Sequence, residues 1–348
     1  MSRIRYSAWW FLLPSVLLIA SRVAAQAERP LQSAQPESAQ LEQAQSLLTA
    51  GKLDEAIAFL TSVPKSQSSE PQISHLLGLA YYQKGNYSLA VEHLSNAVNR
   101  VREGSRQHQQ AVQLLGLSHY LQGHIKEAIP YLEQVKSWAP DNVEIAYTLG
   151  ISYIQMHSID KARQEFARMF RVRPDSASAY LINGQMMIRQ QFEEFAEKEL
   201  QKAIELDPKL PQANFLLGEL AIYRARIELG IELLQKEISL NPGFAMAYYR
   251  LGEAYTRQLK WDEAIAPLQK SIWLNPFFSG PYIVLGKVYL KRGELATAES
   301  ALRRALRMDP NNFSGHHLLA QVLQQANRLE EARKEFELAE RLRTSSDK

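Results

Sequence analysis

Along residues 245–276, AMAYYRLGEAYTRQLKWDEAIAPLQKSIWLNP, apolar and small positions recur every three or four residues: Tyr248, Leu251, Gly252 and Tyr255 come first. A polar break follows at Gln258–Trp261, and then Ala264, Leu268 and Ile272 recur at spacing four. Such spacing lines one face of a helix, so the stretch predicts two amphipathic helices joined by a short turn. Asn275-Pro276 ends the second helix, because proline lacks an amide donor and disfavours helical geometry in the residue before it. Asp207-Pro208, Asn241-Pro242 and Asp309-Pro310 end other segments in the same way.

The pattern is periodic. Gly116, Gly150, Gly184, Gly218, Gly252 and Gly286 are each 34 residues apart, and so are Pro140, Pro174, Pro208, Pro242, Pro276 and Pro310. A small residue lies between each pair, at Ala128, Ala162, Ala196, Gly230, Ala264 and Ala298, and the frame extends to Gly78, Ala90, Ala44, Ala56, Ala320 and Ala332. Units therefore start at 37, 71, 109, 143, 177, 211, 245, 279 and 313. The small residues have a packing reason: where two helices cross closely a larger side chain forces the backbones apart, at about 1–3 kcal/mol. That offsets the cost of glycine in a helix, about 1 kcal/mol. Departures are expected to matter. His119 and Asn183 stand where most units have apolar residues, unit two carries four extra residues around NRVREGSRQHQQ, and Pro130 and Pro267 fall inside second helices.

The 34-residue unit with Leu251-Gly252-Glu253-Ala254-Tyr255, a later alanine and a late proline resembles the tetratricopeptide repeat. The resemblance covers about residues 37–343 and implies an all-α fold: a right-handed α-solenoid of about nine stacked helix-turn-helix repeats. It also implies that first helices line a concave groove through the second, fifth, ninth, twelfth and thirteenth positions of each unit. On that mapping the groove carries Gln113, Leu117 and Tyr120 in unit three, Tyr147, Ile151 and Ile154 in unit four, and Phe215, Glu219 and Tyr223 in unit six. Tyr249, Glu253 and Arg257 follow in unit seven, and Lys287 and Lys291 in unit eight. The early groove is expected to be apolar and aromatic and the later groove mixed in charge, a surface for another protein or peptide segment. Family members that clamp a chaperone's carboxylate tail carry lysine at the fifth position and asparagine at the ninth. Tyr147 with Ile151, and Tyr249 with Glu253, do not fit that activity.

Composition adds limits. The chain has no cysteine, which excludes disulfides and thiolate chemistry. Its formal charge of +3 comes from Arg3, Arg5 and Arg22, and the remainder carries 37 bases and 37 acids. No overall field draws it to nucleic acid. Residues 1–27 run from basic MSRIR through an apolar stretch of about fifteen residues to Ala25 and Ala27, the order of a secretory signal cleaved after Ala27. Expectations are export to a bacterial periplasm with no membrane span after cleavage, or tethering to the inner membrane if the signal stays. Residues 28–40 read as a flexible polar lead-in, 37–342 as the superhelix and 343–348 as a disordered tail. No phosphate loop, nucleophile elbow or metal-binding helix occurs, so neither an enzyme, a cofactor nor a metal site is expected. The leading expectation is a non-enzymatic exported scaffold. The alternative is a subunit of a multiprotein envelope assembly, for secretion or polysaccharide export, docking through its outer face.

Overall fold

The computed structural model describes residues 36–63 and 69–346, and the signal and most of the lead-in lie outside them. The described residues form nine helical hairpins. These are α1 (Pro36–Thr49) with α2 (Leu53–Ser62), α3 (Glu70–Gln83) with α4 (Tyr87–Arg100), and α5 (Arg106–Leu121) with α6 (Ile125–Trp138). Next come α7 (Val143–Gln155) with α8 (Ile159–Phe170), α9 (Ala177–Arg189) with α10 (Glu193–Leu206), and α11 (Ala213–Tyr223) with α12 (Ile227–Leu240). The last three are α13 (Ala245–Arg257) with α14 (Trp261–Leu274), α15 (Ser279–Lys291) with α16 (Leu295–Met308), and α17 (Phe313–Gln325) with α18 (Leu329–Ser346). Each helix packs on the next in chain order, which makes the fold an α-solenoid.

Inside each hairpin the glycine of the first helix faces the residue sixteen positions later. A Cβ on Gly252 would stand 2.5 Å from Leu268 Cγ, and one on Gly150 2.5 Å from the Phe166 ring. No real Cβ tolerates that approach, so a bare backbone is what lets a whole leucine or phenylalanine lie across the helix crossing. The alanines of the frame, Ala56 to Ala332, are buried on the other helix of the same crossing.

Several boundaries differ from the expectation. α1 begins at Pro36, so residues 36–40 are helical rather than a flexible lead-in; proline at the first helical position has its φ already set. α18 continues through Ser346, so residues 343–346 extend the helix. Arg343 pairs with Glu340 at 2.6 Å and the Thr344 hydroxyl donates to the Glu340 carbonyl. The four extra residues of unit two form a turn through Gly104, at φ 74°, and an early start of α5, where the Ser105 hydroxyl accepts from the His108 amide. His119 behaves as an aromatic, stacked on Tyr131 with the ring planes 4° apart.

Polar latches tie successive hairpins at their tips. Lys84 reaches Asp54, Gln258 donates to Glu228 at 2.7 Å and Arg292 reaches Asp262, each across 30 residues. Arg224 and Arg226 similarly share Glu197, and Arg328 meets Glu299 at 2.7 Å.

Candidate functional site

First helices also touch one another: α3 lies against α5, α13 against α15 and α15 against α17. Consecutive second helices make at most marginal contact among the described residues, which puts the first helices at the inner radius of the curve. The wall they form is where a partner could be gripped.

Four residues expected on that wall are not available. Leu117, Ile151 and Ile154 are buried in one apolar cluster with Leu149 and Phe166, and Phe215 is buried in the next cluster. The reason is local composition. α7 buries Ile145, Ala146, Leu149, Tyr153 and both isoleucines, so it is apolar nearly all round, and such a helix turns every such side inward. The fifth position follows a different rule. Phe215 meets Phe244 edge-on at 4.9 Å and Tyr249 meets Phe278 the same way at 4.9 Å. Both covering rings stand 29 residues later, at the last position of the unit. In unit four that position is Ser176, whose hydroxyl accepts from the Ala179 amide to cap α9. A serine caps the helix but shields nothing, and Tyr147 stays 40% exposed with only its edge against Phe166. Phe244 and Phe278 give no side-chain cap and act as lids instead.

The open part of the wall therefore centres on units two to four. Tyr120 lies close enough to Tyr147 that this neighbour, after burial, raises its hydroxyl pKa. Tyr82 of α3, missed in the sequence, joins them: burial first, then Glu144 of α7 and Tyr87, push its hydroxyl up to about 12. Leu121, at the thirteenth position, is 46% exposed beside Tyr120. Gln113 is half-buried on the same helix. The missed signal was a tyrosine in the twelfth position of unit two, in register with Tyr120.

Tetratricopeptide repeat models match residues 75–142, 215–276 and 283–347, and residues 119–182. The chain belongs to the tetratricopeptide repeat family. No curated protein matches it. Among solved structures, residues 41 to the end of MamA from Desulfovibrio magneticus RS-1 are 21% identical over 50% of this chain and 98% of that one, with a TM-score of 0.46. The Cut9–Hcn1 hetero-tetramer of the APC/C matches at 20% identity over 82% of this chain and 55% of that one, TM-score 0.44. A tetratricopeptide repeat protein from Parabacteroides merdae matches at 20% identity over 73% and 99%, TM-score 0.40.

As a tetratricopeptide repeat scaffold, the fold is suited to protein–protein interaction. Its later wall is largely paired with itself. Arg250 bonds Glu219 and Glu253 at 2.6 Å each, and the Tyr249 hydroxyl donates to Glu253 at 3.0 Å. Burial raises the Glu219 carboxyl above its ordinary range despite Arg250. Glu219 and Glu253 are thus held by this protein's own arginine. Arg257 is exposed with a 3.4 Å bond to the Ile222 carbonyl, and no ion pair among the described residues engages it, Lys287 or Lys291. Tyr223 is 56% exposed at the thirteenth position of unit six. Among the described residues no three His, Asp or Glu side chains converge as metal ligands, and no helix is long and apolar enough to cross a membrane.

Proposed function

We propose that the protein is a non-enzymatic scaffold, exported by residues 1–27 to a bacterial periplasm, that holds a segment of another protein against the inner wall of units two to four. Tyr82, Tyr120, Leu121 and Tyr147 supply the apolar grip. Arg257, Lys287 and Lys291, further along the same wall, orient the captured chain by charge. The observation that carries this reading is Ser176, which leaves Tyr147 open where the equivalent aromatic rings of units six and seven are lidded. Exposed tyrosines gathered in one concave patch are the side chains most often found as interface anchors, since they add contact area with little rotamer entropy to lose.

The test is crosslinked capture from the native envelope. Tyr120→Ala with Tyr147→Ala is expected to reduce recovery of the bound protein at least tenfold. Ser176→Phe, which adds a lid and leaves both tyrosines in place, is expected to act in the same direction more weakly. Unchanged recovery with both variants overturns the groove reading. Loss of recovery with substitutions on second helices alone favours the other reading, an envelope assembly docking through the outer face.

A further inference from the structure

The 34-residue frame contains a second register on the outer face. Arg168, Lys202, Lys236, Lys270 and Arg304 occupy one position in five successive second helices, α8 to α16. Their pairing is uneven. Arg168 is held by Glu165 at 2.6 Å and Lys202 by Glu205 at 2.9 Å. Lys236 makes no ion pair among the described residues, Lys270 lies 3.8 Å from the centre of the Trp273 ring, and Arg304 lies over Tyr282 at 4.9 Å. The net neutrality of the chain beyond residue 27 thus hides a local excess of positive charge on the second helices of units six to eight.

That row meets two exposed rings. Trp273, in the last turn of α14, is 72% exposed, and Phe277, in the connection that follows, is 86% exposed. No side chain needs them for the core, and large apolar side chains at such exposure mark a contact surface. We infer that the outer face of units six to eight docks on an anionic lipid bilayer, with Lys236, Lys270 and Arg304 against the phosphates and Trp273 and Phe277 at headgroup depth. Tryptophan and lysine are the side chains that stand at a membrane surface with an apolar body inward and a polar end outward. Geometry separates this occupant from a nucleic acid. A strand followed along the row needs rings interleaved with the cations from unit to unit, whereas both exposed rings sit in one unit. A convex wall meets a flat sheet over a unit or two, and the rings are placed within that span. The surface is separate from the groove, so failure of either proposal leaves the other standing.

The experiment is flotation of the full chain with phosphatidylglycerol or phosphatidylcholine vesicles. Wild type is expected to bind the anionic vesicles at least tenfold more tightly. A cation near an anionic surface contributes about fivefold in partition, so Lys236→Gln, Lys270→Gln and Arg304→Gln together are expected to weaken binding roughly a hundredfold. Trp273→Ala with Phe277→Ala is expected to weaken binding to both vesicle types. The apolar stretch within residues 1–27 is common to every variant, so differences between variants report the outer face. Trp273 emission gives a second reading: a blue shift on adding anionic vesicles, absent in Trp273→Phe. Binding that these variants leave unchanged, or vesicle binding without a Trp273 shift, overturns the proposal. So does capture of a polyanionic nucleic acid or acidic polypeptide that the triple variant abolishes while vesicles go unbound.

Discussion

The fifth and eighth hairpins set the same residue types at the same crossing, Gly184 beneath Leu200 and Gly286 beneath Leu302, yet their next position differs. Leu285 precedes the glycine in unit eight and packs with Leu268, Ala264 and Val288. Asn183 precedes it in unit five, wholly buried, and donates to Glu199 at 2.7 Å and to the Ile159 carbonyl at 3.4 Å. Glu199 in turn accepts from Arg163 of the previous unit at 2.9 and 3.2 Å, and Arg163 lies over the Tyr180 ring at 4.1 Å. One backbone frame thus accepts an apolar seam or an ionic one. The two fail differently: an apolar seam loses contacts in proportion to what is removed, whereas an ionic seam loses little until one partner is missing.

The largest effect should come from removing that partner. Glu199→Ala leaves a mostly buried guanidinium and a buried amide without their acceptor, a loss of about 3–5 kcal/mol. Leu285→Ala in unit eight costs a comparable 2–5 kcal/mol, but through lost packing. The combined change Arg163→Ile, Asn183→Leu and Glu199→Leu separates the mechanisms, since it supplies the residue types that units six and seven carry there, as in Ile231, Leu217 and Leu233. Replacing a complete buried ionic group by packed apolar side chains is neutral or stabilising, by about 1–4 kcal/mol. Urea unfolding gives the net values, and amide exchange in α9 and α15 assigns them to a hairpin, since repeats open locally. A triple variant as unstable as Glu199→Ala would break the comparison.

Acid sharpens it next. Burial raises the Glu199 carboxyl above its ordinary value, against the pull of Asn183 and Arg163. The folded state therefore binds this proton more tightly than the unfolded chain. Its contribution declines as pH rises from the ordinary glutamate range through the raised value. At the other end of the solenoid, Glu299 is buried less and its hydrogen bonds and charge pairing with Arg303 and Arg328 outweigh desolvation, so its carboxyl is lowered. Its stabilisation is present above the ordinary value and lost as pH falls through the lowered one. Glu199→Gln should flatten the slope of stability above the ordinary range, and Glu299→Gln the slope below it. Urea midpoints across acid pH check both signs. Identical slopes in the two variants would mean that the seams do not differ electrostatically.

How much of this was readable beforehand follows the same division. Glycine, alanine and proline in register specify helix crossings and ends through local backbone geometry, so the hairpins and their boundaries follow from spacing alone. Asn183 stood out as a polar residue at an apolar position, but its partners Glu199 and Arg163 are 16 and 20 residues away on other helices, and their charge suggested solvent. The groove was less legible because exposure depends on a neighbour outside the five positions considered. Tyr147 and Tyr249 occupy equivalent sites, and only the residue 29 positions later, Ser176 against Phe278, separates an open ring from a covered one. Ile151 and Ile154 were misplaced because α7 has no polar stripe from which a free face could be read. Pro36 was taken for a breaker although it begins a helix.

The smallest expected effect concerns the latches at the hairpin tips. The seam between units seven and eight has one, Asp262 with Arg292, exposed on the aspartate side. The corresponding pair between units four and five is Asp160 and Gln190, and there Asp160 pairs with Arg163 on its own helix instead. The buried network has taken the acid that the tip would use. Asp262→Asn should cost no more than about 1 kcal/mol and lose its effect in high salt, because an exposed pair gains little over its hydration and is screened. Gln190→Arg should gain still less, because a new tip latch would have to draw Asp160 away from Arg163, and Arg163 is needed by Glu199. Unfolding midpoints at low and high salt measure both changes. A gain from Gln190→Arg as large as the loss from Asp262→Asn would mean that Asp160 is free to serve both partners, and that the ionic seam does not compete with the latch.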